Sequence, residues 1–179
     1  MRSPFVAAVA GIVLSAAWFG GFVHAQRAQS ADSLTERVQA LEAREAVRTL
    51  YAEYGRTLDA RDFKAFSLLW AKDAQYGSAK GPDAIGAFLE KAIGTNYPDS
   101  KGKNYHLYFN ESIDIHGDRG TGISKGGYVM ATPDNTKADF LLLAEYRDEY
   151  IREDGKWKFL RRQTIGEIPV PRPRPVPGQ

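Results

Sequence analysis

The chain has 179 residues, 43% of them hydrophobic, which is one domain's worth with enough apolar material for a core. A formal net charge of +2 and the lack of any compact Lys/Arg block exclude a polyanion-binding reading, so no nucleic-acid partner is expected. The absence of cysteine removes disulfides, zinc–thiolate sites, iron–sulfur clusters and thiol nucleophiles.

The first element reads as a targeting segment. Arg2 supplies a minimal positive region, Phe5 to Phe19 is almost wholly apolar, and Val23-His24-Ala25 has the small-x-small pattern of a signal-peptidase site. Cleavage before Gln26 would export the protein to the periplasm or medium, with no membrane contact afterwards. The alternative is an uncleaved N-terminal anchor, because Phe5 to Val23 approaches the length of a membrane span.

Residues 26–32 read as a polar linker. Ser33-Leu34-Thr35-Glu36 fits a capping box that opens a long helix. Leu34, Val38, Leu41, Val47, Leu50, Tyr51, Tyr54 and Leu58 recur at helical spacing, and the helix should end near Asp59–Arg61. Asp62 opens a short second helix with Phe63, Phe66, Leu69 and Trp70 on one side. Residues 74–77 read as a short strand. Gly81-Pro82-Asp83 starts a third helix with proline at its first position and Gly94 as its stop.

After a polar loop at 94–104 the period changes to two. The strands expected are 105–115, 121–130, 138–152 and 156–165, with turns at Gly117-Asp118, Thr132-Pro133-Asp134-Asn135 and Asp154-Gly155. The Pro-rich tail, 168–179, should be extended and solvated. Helices first and a meander of strands afterwards is an α+β order, with helices packed on one face of an antiparallel sheet.

Three stretches carry a family resemblance: Leu50-Tyr51-Ala52-Glu53-Tyr54 with Leu58-Asp59-Ala60-Arg61-Asp62-Phe63, the Gly81-Pro82-Asp83-Ala84-Ile85 helix start, and the hairpin running from Tyr146-Arg147-Asp148-Glu149-Tyr150 to Asp154-Gly155-Lys156-Trp157-Lys158-Phe159. Together they resemble SnoaL-like domains of the nuclear transport factor 2-like superfamily, over about residues 38–166. The resemblance implies a cone: a curved antiparallel sheet wrapped around N-terminal helices, with a pocket at the wide end. The superfamily holds dehydratases, isomerases and non-catalytic binding modules, so fold alone does not name an activity.

In motif the chain is nearest to scytalone dehydratase and γ-hexachlorocyclohexane dehydrochlorinase. In both, an aspartate ends the first long helix and a histidine sits early on the strand after the third helix. Asp59 and His106 occupy those places. Imidazole titrates near neutrality and can take a proton from carbon, while a carboxylate on its other nitrogen fixes the tautomer. The implied chemistry is elimination without a metal or organic cofactor.

The resemblance also offers substrate-binding candidates. Tyr76 matches a carbonyl-polarising tyrosine, and Tyr51 and Tyr54 lie on the helix face near Asp59, where they could bind a substrate oxygen or simply fill the core. Strict alternation places Asn110 on the face of His106, along with Tyr108, Ser112 and Asp114. It places Leu107, Phe109, Ile113 and Ile115 on the other face. Trp70 and Phe88 read as pocket wall or core, His116 as a solvated turn residue, and Arg162 as exposed, with holding an anionic group as its alternative. A second pocket histidine, present in scytalone dehydratase, has no counterpart in 121–130.

The expectation is a cofactor-independent lyase, a dehydratase or a related elimination or isomerisation enzyme, acting on a small hydrophobic cyclic molecule through an Asp59–His106 dyad. The alternative is an exported ligand-binding or scaffold domain without turnover. An inward His106 leaves an apolar outer sheet face that a homodimer or homotrimer would cover.

Overall fold

The computed structural model describes residues 12–96, 103–132 and 134–169, with side chains described for 33–93, 103–132 and 134–165. The segment before Ile12, most of the loop at 94–104, Pro133 and the tail from 170 onward lie outside the described residues.

The chain divides into two compact units, residues 1–42 and 43–179. The described part of the first is helical and belongs to α1 (Ile12–Asp59). This corrects two expectations: 26–32 is helix, not linker, and Ser33 lies inside α1 instead of starting it. The stretch Gln26-Arg27-Ala28-Gln29 consists of good helix formers, so helix propagates through it without a new cap. Leu34, Val38 and Leu41 are exposed, and the buried stripe begins only at Val47. Among the described residues no helix is long and apolar enough to cross a membrane.

In the second unit Val47, Leu50, Tyr51, Tyr54 and Leu58 recur three or four residues apart and are all buried. The helix stops at Asp59, as the spacing predicts, and Asp62 caps α2 (Phe63–Ser67) by accepting from the Ala65 N–H at 3.0 Å. β1 (Trp70–Tyr76) begins earlier than expected and takes Trp70 and Ala71 into the core. β2 (Ala79–Lys80) folds back on it. α3 (Pro82–Asn96) opens on its proline, buries Ile85, Leu89 and Ile93, and runs through Gly94, a residue a helix tolerates at a cost of about 1 kcal/mol.

The four long strands are β3 (Asn104–His116), β4 (Arg119–Ala131), β5 (Ala138–Glu153) and β6 (Lys156–Pro169). They form the expected meander in a six-stranded sheet of order β2-β1-β6-β5-β4-β3. One pairing differs from expectation: β1 runs parallel to β6, so the curved sheet is mixed, not antiparallel. No hairpin joins β1 to β6, and the long intervening chain allows the parallel direction. β6 also takes in Ile168 and Pro169 of the expected tail, paired with Leu143 and Leu142.

Two bulges decide which side chains face inward. In β3 the register shifts between Phe109 and Ser112, with Asn110 at φ 54°. Before the shift His106 and Tyr108 point inward; after it Glu111, Ile113 and Ile115 take over that phase. In β5–β6, Tyr150 faces Phe159 but Glu149 faces Arg161, so Leu160 is one residue extra. Arg162 is thereby turned inward. Strict alternation had given the opposite faces for Asn110, Ile113, Ile115 and Arg162.

On β4 the inward positions are Gly120, Gly122, Ser124 and Gly126. The rings of Tyr146 and Tyr150 from β5 lie across them, and a Cβ at Gly126 would sit 2.5 Å from the Tyr146 ring. The strand is bare there because the neighbouring aromatic rings occupy the space.

Candidate active site

Asp59 is the last residue of α1 and His106 the third of β3. Gly55, one turn earlier on the helix, faces His106, and a Cβ added there would lie 3.4 Å from the His106 Cβ, an ordinary contact. His106 Nδ1 lies 2.6 Å from Asp59 Oδ1. The backbone N–H of His106 donates to both carboxylate oxygens, at 3.2 Å each. Asn104 Nδ2 donates to Oδ1 at 2.7 Å. The His106 and Asp59 side chains are 12% and 22% exposed. An ionised carboxylate can only accept, so in neutral imidazole Nδ1 carries the proton and the Nε2 lone pair is free. The ring packs 4.6 Å from that of Tyr128 and edge-on to Tyr54 at 6.3 Å, centroid to centroid.

A second polar group lies deeper, and sequence reasoning missed it. The Arg162 side chain is fully buried and pairs with the equally buried Asp148 through two hydrogen bonds, Nε to Oδ1 at 2.8 Å and Nη2 to Oδ2 at 2.9 Å. Its guanidinium sits over the rings of Tyr54 and Phe159 at 4.3 and 4.4 Å. Nη1 donates to the Tyr108 hydroxyl at 3.2 Å. Burial alone would lower the Arg162 pKa, yet the Asp148 charge and its hydrogen bonds hold it well above the ordinary range. Burial pushes the Tyr108 phenol well up, against the pull of Arg162, so its proton stays on.

The candidate substrate tyrosines separate. Tyr51 donates to Asp148 Oδ2 at 2.7 Å and makes a short hydrogen bond with the Tyr150 hydroxyl. Burial and the Asp148 charge push it up to about 12. Its hydroxyl is thus committed to the buried pair. Tyr54 is buried between Phe66, Trp70, Tyr108 and the His106 ring, and burial raises it well above the usual phenol range. Tyr76 stacks on Trp70 at 5.5 Å and sits close enough to raise Tyr54 and Tyr108 electrostatically. The Tyr54, Tyr76 and Tyr108 hydroxyls therefore belong to one cluster.

Trp70 is core. Phe88 is exposed on α3, with its ring edge on Tyr76. Asn110 is exposed at its bulge and does not share the face of His106. His116 is exposed and pairs with Asp114. Arg162 was legible as a basic residue but not as a buried one, since the signal that reverses it is the extra Leu160. Asn104 carried no sequence signal beyond its place two residues before His106.

A groove of about 280 Å³ adjoins the pair, lined by Gly55, Asp59, His106, Tyr108, Arg48 and Glu111 among others. A larger hollow of about 670 Å³ involves outward residues such as Thr121, Ile123, Arg147, Glu149 and Arg161, on the sheet face away from the dyad. Among the described residues no three His, Cys, Asp or Glu side chains converge as a metal site would require.

Comparison with known proteins bears on the family and the fold. The sequence model of the SnoaL-like domain matches residues 39–163. The chain is 26% identical over 131 residues to γ-hexachlorocyclohexane dehydrochlorinase of Sphingobium indicum, covering 69% of this chain and 80% of that one. A nuclear transport factor 2-like protein with a cystatin-like fold from Novosphingobium aromaticivorans superposes with a TM-score of 0.63 at 25% identity, over 73% of this chain and 86% of the other. A second structure from that organism, provisionally named a scytalone dehydratase, superposes with a TM-score of 0.59 at 23% identity, over 74% and 91%. The last of these likenesses bears on fold alone.

Proposed function

The chain belongs to the SnoaL-like domain family, and from that premise we propose that it is a cofactor-independent lyase acting on a small hydrophobic cyclic molecule. The observation that carries the reading is the 2.6 Å contact between His106 Nδ1 and Asp59 Oδ1, with both side chains mostly buried. His106 Nε2 takes a proton from a substrate carbon. The C–H electron pair becomes the new C=C bond, and the leaving group departs with the electrons of its own bond. Asp59 offsets the positive charge gained by the imidazole. Tyr108 lies two residues along the same face, and Arg162 already donates to its oxygen. Its own O–H is thus available to a departing oxygen or halide.

The relative from Sphingobium is named for removal of chloride from γ-hexachlorocyclohexane, which makes that compound a sensible first probe. The broader test compares wild type with His106→Gln on cell extract by mass spectrometry. A wild-type product that differs from its substrate by one water or one hydrogen halide supports the reading. A general base contributes about 10²–10⁴-fold, so His106→Gln should lose at least two orders of magnitude. Turnover left intact by that substitution would sink the dyad, and a ligand retained unchanged by both proteins would favour a binding module.

We infer further that copies assemble as a homodimer or homotrimer through the outer sheet face. Tyr105, Leu107, Phe109, Ile123 and Phe140 are exposed there. Tyr105 and Phe140 both lie beside Val129, which makes a continuous apolar strip across β3, β4 and β5. The N-terminal pattern supports export with Gln26 as the mature first residue. The mass of the protein recovered outside the cytoplasm checks this, and an intact N-terminus would favour the anchor.

A further inference from the structure

Asn104 opens β3, where the sheet holds it opposite Met130 of β4. It is 2% exposed. Its Nδ2 donates to the same Asp59 oxygen that receives His106 Nδ1. Its Oδ1 is buried and meets no donor among the described residues. The two facts are linked. Turning the amide over would aim the carbonyl at the carboxylate, so donation to Asp59 fixes the orientation that strands the oxygen.

As packing, this is a poor choice. A buried amide oxygen without a hydrogen bond has lost its water and gained nothing in return. Leucine has nearly the same shape and would fill the space without that loss. The local gain lies at Asp59, which is still 22% exposed and ends a helix, so little else restrains its side-chain torsion. Among the described residues the remaining donors to that carboxylate come from His106 itself.

We propose that Asn104 is a positioning residue for the dyad, an assignment that rests on the Asp59–His106 reading above. Its amide holds the Asp59 carboxylate so that Oδ1 stays on the Nδ1–H of His106, which keeps Nε2 the unprotonated nitrogen. Asn104 touches no reacting atom.

The test uses the full chain without ligand and reads the ¹⁵N shifts of the His106 imidazole, assigned by their loss in His106→Gln. Wild type should show the Nδ1–H tautomer with a slowly exchanging Nδ1 proton. In Asn104→Leu the tautomer ratio should move about tenfold toward Nε2–H, equivalent to about 1.4 kcal/mol, and the Nδ1 proton should exchange faster. The melting temperature should hold or rise. An unchanged tautomer ratio overturns the proposal whatever the melting temperature does. Asn104→Ser, too short to reach Asp59, should reproduce the tautomer shift if the leucine variant does not fold. Failure of both to fold makes the residue structural and overturns the assignment too. Asp59→Ala is the separate check on the dyad. If it leaves the tautomer untouched, the pairing itself falls. If it shifts the tautomer and Asn104→Leu does not, only the positioning role falls.

Discussion

Arg162 has five aromatic rings around its guanidinium and one carboxylate to neutralise it. Removing either partner strands a charge in the core, a loss of about 3–5 kcal/mol, whereas replacing both with apolar residues of similar volume can be close to neutral. Urea unfolding should therefore show Asp148→Asn far less stable than wild type, with the double variant Asp148→Leu/Arg162→Met recovering most of the loss. Tyr51 gives the pH dependence its sign. Its pKa rises from 10.0 to about 12 on folding, so between those values the unfolded chain has lost a proton that the folded one retains. The stabilisation is fully present below pH 10 and is lost as pH climbs through 12, with about 3 kcal/mol at stake. Unfolding midpoints measured below pH 10 and near pH 12 should differ less in Tyr51→Phe than in wild type.

The bulges mark the boundary of what could be read in the sequence. The end of α1, the starts of α2 and α3, the four long strands, their order in the meander and its turns were legible, because spacing, caps and Asp-Gly or Gly-Asp pairs report them locally; the start of α1, the end of α3 and the two-residue β2 were not. The faces beyond Phe109 and beyond Phe159 were not, because alternation is counted, and one inserted residue reverses every later position. That single error kind misplaced Asn110 and hid Arg162, while the placement of Asp59 and His106 was legible because Asp59 ends a helix and His106 precedes the bulge of its own strand. The β3 bulge can be tested at Asn110, whose φ of 54° suits glycine or asparagine. Asn110→Gly should be neutral within about 0.5 kcal/mol, and Asn110→Val should cost about 1–2 kcal/mol by chemical denaturation. Gly126→Ala should cost about 1–3 kcal/mol, since the new methyl meets a buried tyrosine ring.

For the whole molecule, the apolar strip on the outer sheet is the face that the proposed assembly would cover. Leu107→Glu with Phe109→Glu should reduce the mass seen by light scattering to that of a monomer. If the mass does not change, assembly runs elsewhere or does not occur. The parallel β1–β6 pair bears on how the molecule is made. Trp70 lies beside Phe159, and Phe159 also fills the space against Tyr51 and Tyr54. A ribosome must add about eighty residues after β1 before its parallel neighbour β6 begins. Until then β1 pairs with β2 alone, and the sheet of β3, β4 and β5 is not joined to it. Closure is governed by the last strand of the sheet to be synthesised, so folding should be slow for a domain of this size, as contacts of long sequence separation require. Any truncation before Phe159 should yield a chain that never closes.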